Sequence, residues 1–250
     1  MKSERLMWAS GLSAYLFPYA IYHLIAVSPQ IKGRVMFTNL YRETIDKISR
    51  EALLCSEMVL SQYRVLAIKK IVLRGDPSKE IVNYVKQRNI DLVVLTSGVT
   101  EESPPRLVGA VSRELIASLP NPLLIYPPSA KKFEGGLSKA LIVPVDELVT
   151  NPSRFMDAVK RLAVRGVEEA LVMSKEEGKL RRDVEKVLEE RGVKVTRLSL
   201  PPFPEGLAEM VKLSGEVDIV ITGKSYTGRK VLSEYQETVA GLMSAPVIMA

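Results

Sequence analysis

GDPSKEIVNYVKQRNIDLVVLTSGVTEESPPRLVGAVSRELIASLPNPLLIYPP, residues Gly75 to Pro128, is the stretch from which the fold is read. Asp76 is placed to N-cap a helix, and Pro77 suits the first turn. Ile81, Val82 and Val85 give that helix an apolar face. Asp91 opens the run Leu92-Val93-Val94-Leu95, which reads as a strand buried on both faces. A loop from Ser97 to Pro105 follows. A second helix then turns Leu107, Val108, Val111 and Leu115 inward, and Pro120 and Pro122 end it. Leu123-Leu124-Ile125-Tyr126 is the next strand. Helix, strand, loop, helix, strand implies parallel strands with right-handed crossovers.

This stretch resembles the C-terminal half of a universal stress protein (UspA-like) domain. Gly75-Asp76-Pro77, Asp91, Gly109-Ala110-Val111-Ser112 and Pro122 fall where that family has its turn before a helix, its fourth strand, its Gly-Ser-Val-Ser run and its fifth strand. The resemblance implies a doubly wound, Rossmann-like α/β sheet in the order 3-2-1-4-5. It also implies ATP binding in some members and pairing through strand five.

Upstream, Leu6 to Pro29 carries no formal charge and follows Lys2 and Arg5. That length admits a membrane span or signal segment. Gly11, Pro18, His23 and several Ser and Tyr argue instead for a division in two. Ser3–Leu16 reads as a helix with Ser3 as N-cap and Leu6, Ala9, Leu12 or Ser13 and Leu16 on one side. Tyr19–Val27 reads as a strand. In the resemblance these are helix one and strand two, and strand one is missing before them. Either the chain begins after that strand or another segment fills its place, with Arg34-Val35-Met36-Phe37 as the candidate. A helix from Thr44 to Tyr63 turns Ile45, Ile48, Ala52, Cys55, Met58 and Val59 inward, making Cys55 a buried thiol. Val65–Leu73 is the next strand.

Residues 1–128 thus form the first domain, 129–138 a polar, glycine-containing linker, and 139–250 a second domain that repeats the pattern. Its strands are Ala140–Asp146, Ala170–Met173, Val193–Leu200, Asp218–Ile221 and Pro246–Met249. Its helices are Asn151–Arg165, Glu177–Arg191, Glu205–Leu213 and Arg229–Met243. Gly166 and Gly192 stop the first two.

The composition is 46% hydrophobic and 26% charged with a formal charge of +6, an ordinary globular mixture. No basic run is interleaved with aromatics, so nucleic acid is not expected. One Cys and one His exclude a disulfide framework and a zinc cluster, and His23 lies in an apolar run as a core or rim residue. No paired carboxylates or metal-ligand spacing point to turnover, so an enzyme is not expected.

Chemistry in a doubly wound sheet sits at the carboxyl ends of the strands. The resemblance places an ATP loop there, G-x2-G-x9-G-[ST], whose glycines let backbone amides approach phosphates. In the first domain only Gly109 remains, with Val111 and Ser112 after it. Thr96 and Val99 stand where glycines are expected, and Ala110 replaces the hydroxyl. Gly98 is out of register, Pro104-Pro105 lack donors, and Glu101 and Glu102 repel phosphate. In the second domain Pro144, Val145 and Asp146 match the nucleotide-contacting end of strand one, and Gly223 matches the first loop glycine. Tyr226 stands where the second is expected, with Gly228 nearby, and Ser233-Glu234 replaces Gly-Ser. Lys224, Arg229 and Lys230 remain to attract an anion.

The resulting reading is a cytoplasmic, non-catalytic regulatory module with weak or lost ATP binding. Its alternatives are an ATP or AMP sensor using the second domain, and a membrane-tethered regulatory domain associated with a transporter. Leu123–Tyr126 and Val247–Met249 are expected to pair within the chain as a pseudo-dimer or between chains as a homodimer. An unidentified protein partner is expected too.

Overall fold

Strand propensity and buried apolar runs assemble two separate sheets in the computed structural model, which describes residues 2–28, 38–98, 107–175, 178–224 and 233–250. Only the backbone is described for residues 2, 3 and 38–42. The chain divides into two compact units, Met1–Ile90 and Asp91–Ala250.

The first unit runs α1 (Lys2–Leu16), β1 (Ile21–Ser28), α2 (Thr38–Leu60), β2 (Ala67–Arg74) and α3 (Pro77–Gln87). β1 and β2 pair in parallel from Ile21 opposite Ala67 to Ser28 opposite Arg74. The uncharged N-terminal segment therefore divides into helix and strand. No helix of the described residues is long and apolar enough to cross a membrane. α1 buries Ala9, Leu12 and Leu16 at helical spacing. Its serines are satisfied internally: Ser10 Oγ donates to the Leu6 carbonyl and Ser13 Oγ to the Ser10 carbonyl, each at 2.8 Å. Asp76 caps α3 by accepting from the Lys79 N–H at 3.1 Å.

α2 departs from its expected orientation. Its buried side chains are Leu53, Ser56 and Leu60, whereas Ile48 is 59% and Met58 69% exposed. Cys55 is half-buried rather than enclosed. The helix carries apolar residues around most of its circumference, so the face richest in them is not the face that packs. Arg34–Phe37, the candidate replacement for the missing strand, lies outside the described residues.

The second unit contains β3 (Val93–Thr96), α4 (Ala110–Ser118), β4 (Leu123–Tyr126), β5 (Lys139–Val143), α5 (Pro152–Val164) and β6 (Glu169–Ser174). It continues with α6 (Lys179–Glu189), β7 (Lys194–Ser199), α7 (Glu205–Ser214), β8 (Ile219–Thr222), α8 (Glu234–Leu242) and β9 (Val247–Met249). Its seven strands lie in the order β3-β4-β9-β8-β5-β6-β7. Neighbours are parallel except β4 and β9, which pair antiparallel with Leu124 opposite Ile248. Within the repeat from β5 onward the order β7-β6-β5-β8-β9 is 3-2-1-4-5, with the apolar β5 and β8 buried at its centre.

The compact units do not follow the repeat boundary. β3, α4 and β4 end the first repeat in sequence but share a sheet with the second. Among the described residues β1 and β3 lie in different sheets. Residues 129–138 are tied into the second unit, unlike a free linker. Ser129 Oγ donates to the Met243 carbonyl at 2.8 Å, the Lys131 N–H to the Ser244 carbonyl at 3.1 Å, and Ala130 and Leu137 are buried. In α4 the buried side chains are Leu115, Ile116 and Ala117, with Val108 buried just before it, while Val111, expected inward, is 37% exposed.

Asp218 fastens the entry of the two central strands. Its carboxylate accepts from the Ser138 N–H at 2.7 Å, the Lys139 N–H at 2.9 Å and Ser138 Oγ at 2.9 Å. Partial burial raises its pKa, but these donors outweigh that and hold it below the usual value. Its stabilising contribution is therefore present above the unfolded carboxylate pKa and lost as pH falls through the lowered folded value. Asp218→Asn is expected to cost about 1–3 kcal/mol in urea unfolding at pH 7. That difference should shrink in acid, where the wild-type carboxylate is protonated too.

Candidate functional site

The carboxyl ends of β5 and β8 carry the expected site residues of the second repeat. Pro144 and Val145 are buried just beyond β5, and Asp146 is exposed. The chain then folds into a tight turn, with the Leu148 N–H donating to the Val145 carbonyl at 2.9 Å and the Val149 N–H to the same carbonyl at 3.1 Å. This turn lies directly over Gly223. A Cβ at Gly223 would stand 2.5 Å from the Leu148 carbonyl carbon and 2.6 Å from its oxygen. Gly223 is required by close packing of backbone on backbone, a reason that involves no ligand. Gly178, the N-cap of α6, has no side chain to cap that helix, and the Asp146 carboxylate packs beside it. A Cβ at Gly178 would stand 2.8 Å from Asp146 Oδ2. Gly178 and Gly223 are thus approached by this turn and by Asp146, which itself stays exposed. Gly178 was missed because the charged helix was expected to begin at Glu177; a glycine one residue inside that boundary was the available signal.

Lys224, expected to attract an anion, does something else. Its side chain is 2% exposed. Nζ donates to the Leu119 carbonyl and to the Asn121 carbonyl at 3.2 Å. Leu119 is the C-cap of α4, so the ammonium sits where a helix presents unsatisfied carbonyls and the negative end of its dipole. The Lys224 backbone is held as well, its N–H donating to the Ala250 carbonyl at 3.0 Å and its carbonyl accepting from Thr150 Oγ1 at 2.9 Å. Burial lowers its pKa to about 7.

The hydroxyls near the expected phosphate position are engaged too. Ser233 caps α8 in a capping box, accepting from the Gln236 N–H at 3.2 Å while the Gln236 side chain accepts from the Ser233 N–H at 3.2 Å. Thr222 Oγ1, at the end of β8, bonds the buried Tyr235 hydroxyl. Gly228, Tyr226, Arg229 and Lys230 lie outside the described residues.

In the first repeat Gly109 is the N-cap of α4, again without a side-chain cap. The Gly98 carbonyl oxygen lies 3.6 Å from where its Cβ would be, an ordinary van der Waals contact. Ser112 Oγ donates to the Thr96 carbonyl at 3.2 Å, and Val111 faces outward. Val99, Glu101, Glu102, Pro104 and Pro105 lie outside the described residues. The described residues of both sites therefore do not fit a nucleotide triphosphate: their glycines, hydroxyls and lysine are engaged by the chain itself. His23 lies elsewhere, in the first unit. Its Nδ1 is 2.8 Å from the Tyr84 hydroxyl, and partial burial with nearby Lys69 and Arg88 lowers its pKa.

A doubly wound α/β repeat, with glycines at its strand ends and an antiparallel strand-five pairing, defines the class. Residues 21–127 match the model of the universal stress protein family. The fold is similar to the crystal structure of a universal stress protein from Archaeoglobus fulgidus DSM 4304. That similarity has a TM-score of 0.71 at 17% identity and covers 100% of this chain and 92% of that one. It is also similar to a functionally unknown protein from Pseudomonas aeruginosa PAO1, with a TM-score of 0.53 at 13% identity, covering 95% of this chain and 94% of that one. No curated protein matches the chain.

Two outcomes follow from this geometry. Gly223→Ala is expected to cost about 1–3 kcal/mol in chemical denaturation, because the Leu148 backbone must move. An unchanged midpoint would mean that the turn yields freely. For Lys224 the folded pKa lies below the ordinary lysine value of 10.5. Between about pH 7 and 10.5 the unfolded state holds a proton that the folded state has released, so stability rises with pH by up to about 1.4 kcal/mol per unit. Hydrogen bonds from the ammonium to two carbonyls oppose this and reduce the slope. Lys224→Met is expected to flatten the rise; identical slopes for the two proteins would contradict the lowered folded pKa of Lys224.

Proposed function

We propose that this chain is a non-catalytic regulatory module of stress response in which the nucleotide pocket of the second repeat has become part of the core. The observation that carries the reading is Lys224, which is buried against the Leu119 and Asn121 carbonyls instead of facing a ligand. The turn over Gly223 supports it, because the backbone that a phosphate would need to approach is packed against Leu148. Such a module acts through protein partners, in the cytoplasm, and its pseudo-dimer is intrachain. β4 and β9 each have two neighbours in the sheet, so a homodimer through strand five would have to open the β4–β9 ladder.

A second reading keeps one argument. Asp146 is exposed beside the uncapped start of α6, where a ribose hydroxyl or magnesium ion would be accommodated in an ATP or AMP sensor. Thermal unfolding with and without millimolar ATP and Mg²⁺ separates the two. A ligand at 100 times its dissociation constant stabilises by about 2.7 kcal/mol. The expected result is no shift with ATP, ADP or AMP. A clear upward shift that Asp146→Ala abolishes would establish the sensor and overturn the regulatory reading.

A further inference from the structure

The loops that lead from α1 into β1 and from α2 into β2 lie side by side at the amino ends of the two strands. The Tyr19 N–H donates to the Arg64 carbonyl at 2.8 Å, and the Leu66 N–H to the Ala20 carbonyl at 3.0 Å. The Tyr22 hydroxyl fixes the first loop by donating to the Phe17 carbonyl at 3.1 Å. These bonds hold three large apolar side chains in water: Tyr19 is 57%, Ile21 53% and Leu66 67% exposed. Tyr19 also has a φ of 61°, a left-handed conformation that a bulky residue adopts at a cost. Lys2 and Ser28 lie far from this end, because α1 is fifteen residues, about 22 Å, and β1 eight residues, about 26 Å.

The charge around these tips has one sign. Residues 17–24 carry no formal charge, and residues 61–69 carry only Arg64 and Lys69. Strand alternation puts Ile21 and His23 on one face, and the register sets Lys69 opposite His23. Arg88 lies over the Tyr84 ring, 5.9 Å from its centroid, and the Tyr84 hydroxyl is 2.8 Å from His23 Nδ1. Arg64, Lys69 and Arg88 are exposed, and none has a carboxylate partner among the described residues. The carboxylate nearest in sequence to the second loop, Glu57, is held by Lys70 at 2.6 Å. Tyrosine and aliphatic tips with cations beside them match the boundary between acyl chains and anionic headgroups. A second copy of this chain would bring the same cations to the surface and is disfavoured.

We propose that this end of the first unit docks reversibly on an anionic lipid surface. Tyr19, Ile21 and Leu66 enter the headgroup region, and Arg64, Lys69 and Arg88 face the lipid phosphates and carboxylates. Three apolar tips bind a bilayer weakly without the charges, and the charges bind it weakly without the tips, so docking depends on both. The surface uses none of the strand-end residues of the second repeat. It adds a place of action to the regulatory reading and fails separately from it, because a nucleotide-induced stability shift overturns that reading without touching Tyr19, Ile21 or Leu66.

Flotation of the full chain with vesicles tests the surface. One set of vesicles is phosphatidylcholine alone, and the other contains about 30% phosphatidylserine. The anionic set should bind about tenfold or more tighter than the neutral set, and raising the salt from about 50 to about 200 mM should weaken that binding several-fold. Tyr19→Asn with Leu66→Ser should weaken it about tenfold. Asparagine tolerates the left-handed conformation and both positions are exposed, so the urea midpoint of this variant should hold. Arg64→Gln with Lys69→Gln should lower binding to the anionic vesicles toward the neutral level. In the free chain, a soluble paramagnetic agent should broaden the Tyr19 ring and Leu66 methyl signals in NMR spectra. Signals that stay sharp would overturn the proposal, because the surface is then already covered. No flotation at millimolar anionic lipid, or flotation that the apolar double variant leaves unchanged, would also overturn it. Equal binding to the two sets of vesicles would overturn the role of the cations. Dimers that the apolar double variant abolishes, in a chain that does not float, would overturn it in favour of a second copy.

Discussion

The antiparallel pairing of β4 with β9 is the contact on which the larger unit depends. Leu123, Leu124 and Ile125 face Met249, Ile248 and Val247 across it. All six are buried, and the ladder turns two parallel sheets into one. Parallel strands buried on both faces are stable only when helices cover those faces and neighbours satisfy their edges. β3 and β4 are four residues each and could not persist alone as a two-stranded sheet. Joined to β9, they share the core of the second repeat. The groups around the ladder reinforce it: the buried Ser97 hydroxyl donates to the Ala240 carbonyl near the end of α8, and the Lys224 ammonium donates to the Leu119 carbonyl at the end of α4. Each half thus supplies a donor to the carboxyl end of the other half's last helix. Gly241 lets α8 approach Leu107 so closely that a Cβ would stand 2.6 Å from the leucine Cβ.

Most elements were legible because local chemistry and burial agree. β4 occupies the expected residues, and Asn151 and Asp76 cap the helices they were expected to cap. Gly166 and Gly192, at φ 84° and 75°, occupy the left-handed positions that end helices. The serines of α1 are satisfied by bonding back to their own helix, which lets Ser10 and Ser13 be buried.

Other features were not legible, and each failure has a physical cause. The exposed face of α2 could not be recognised from periodicity, because a helix with apolar residues on several sides has no unique inward direction until its neighbours are placed. Cys55 followed the wrong face. Lys224 was misread because a lysine beside a glycine at a strand end has the same local sequence whether it meets a phosphate or a helix terminus. The carbonyls that capture it, at Leu119 and Asn121, are distant in sequence. Only the β4–β9 pairing brings α4 within reach.

The same logic applies to glycine. A glycine at the end of a central strand permits close approach of something, and the sequence does not say what. At Gly223 the approaching group is the Leu148 carbonyl, which brings a partial negative charge to where a phosphate loop would present N–H donors. A carbonyl in that position repels an anion while satisfying the same steric requirement. The two repeats therefore depart from the common fold in opposite ways. The first keeps only Gly109 of the loop motif, and among the described residues its β1 pairs with β2 in a sheet apart from β3 and β4. The second keeps every strand in its expected order and closes its strand ends with its own backbone and a buried lysine.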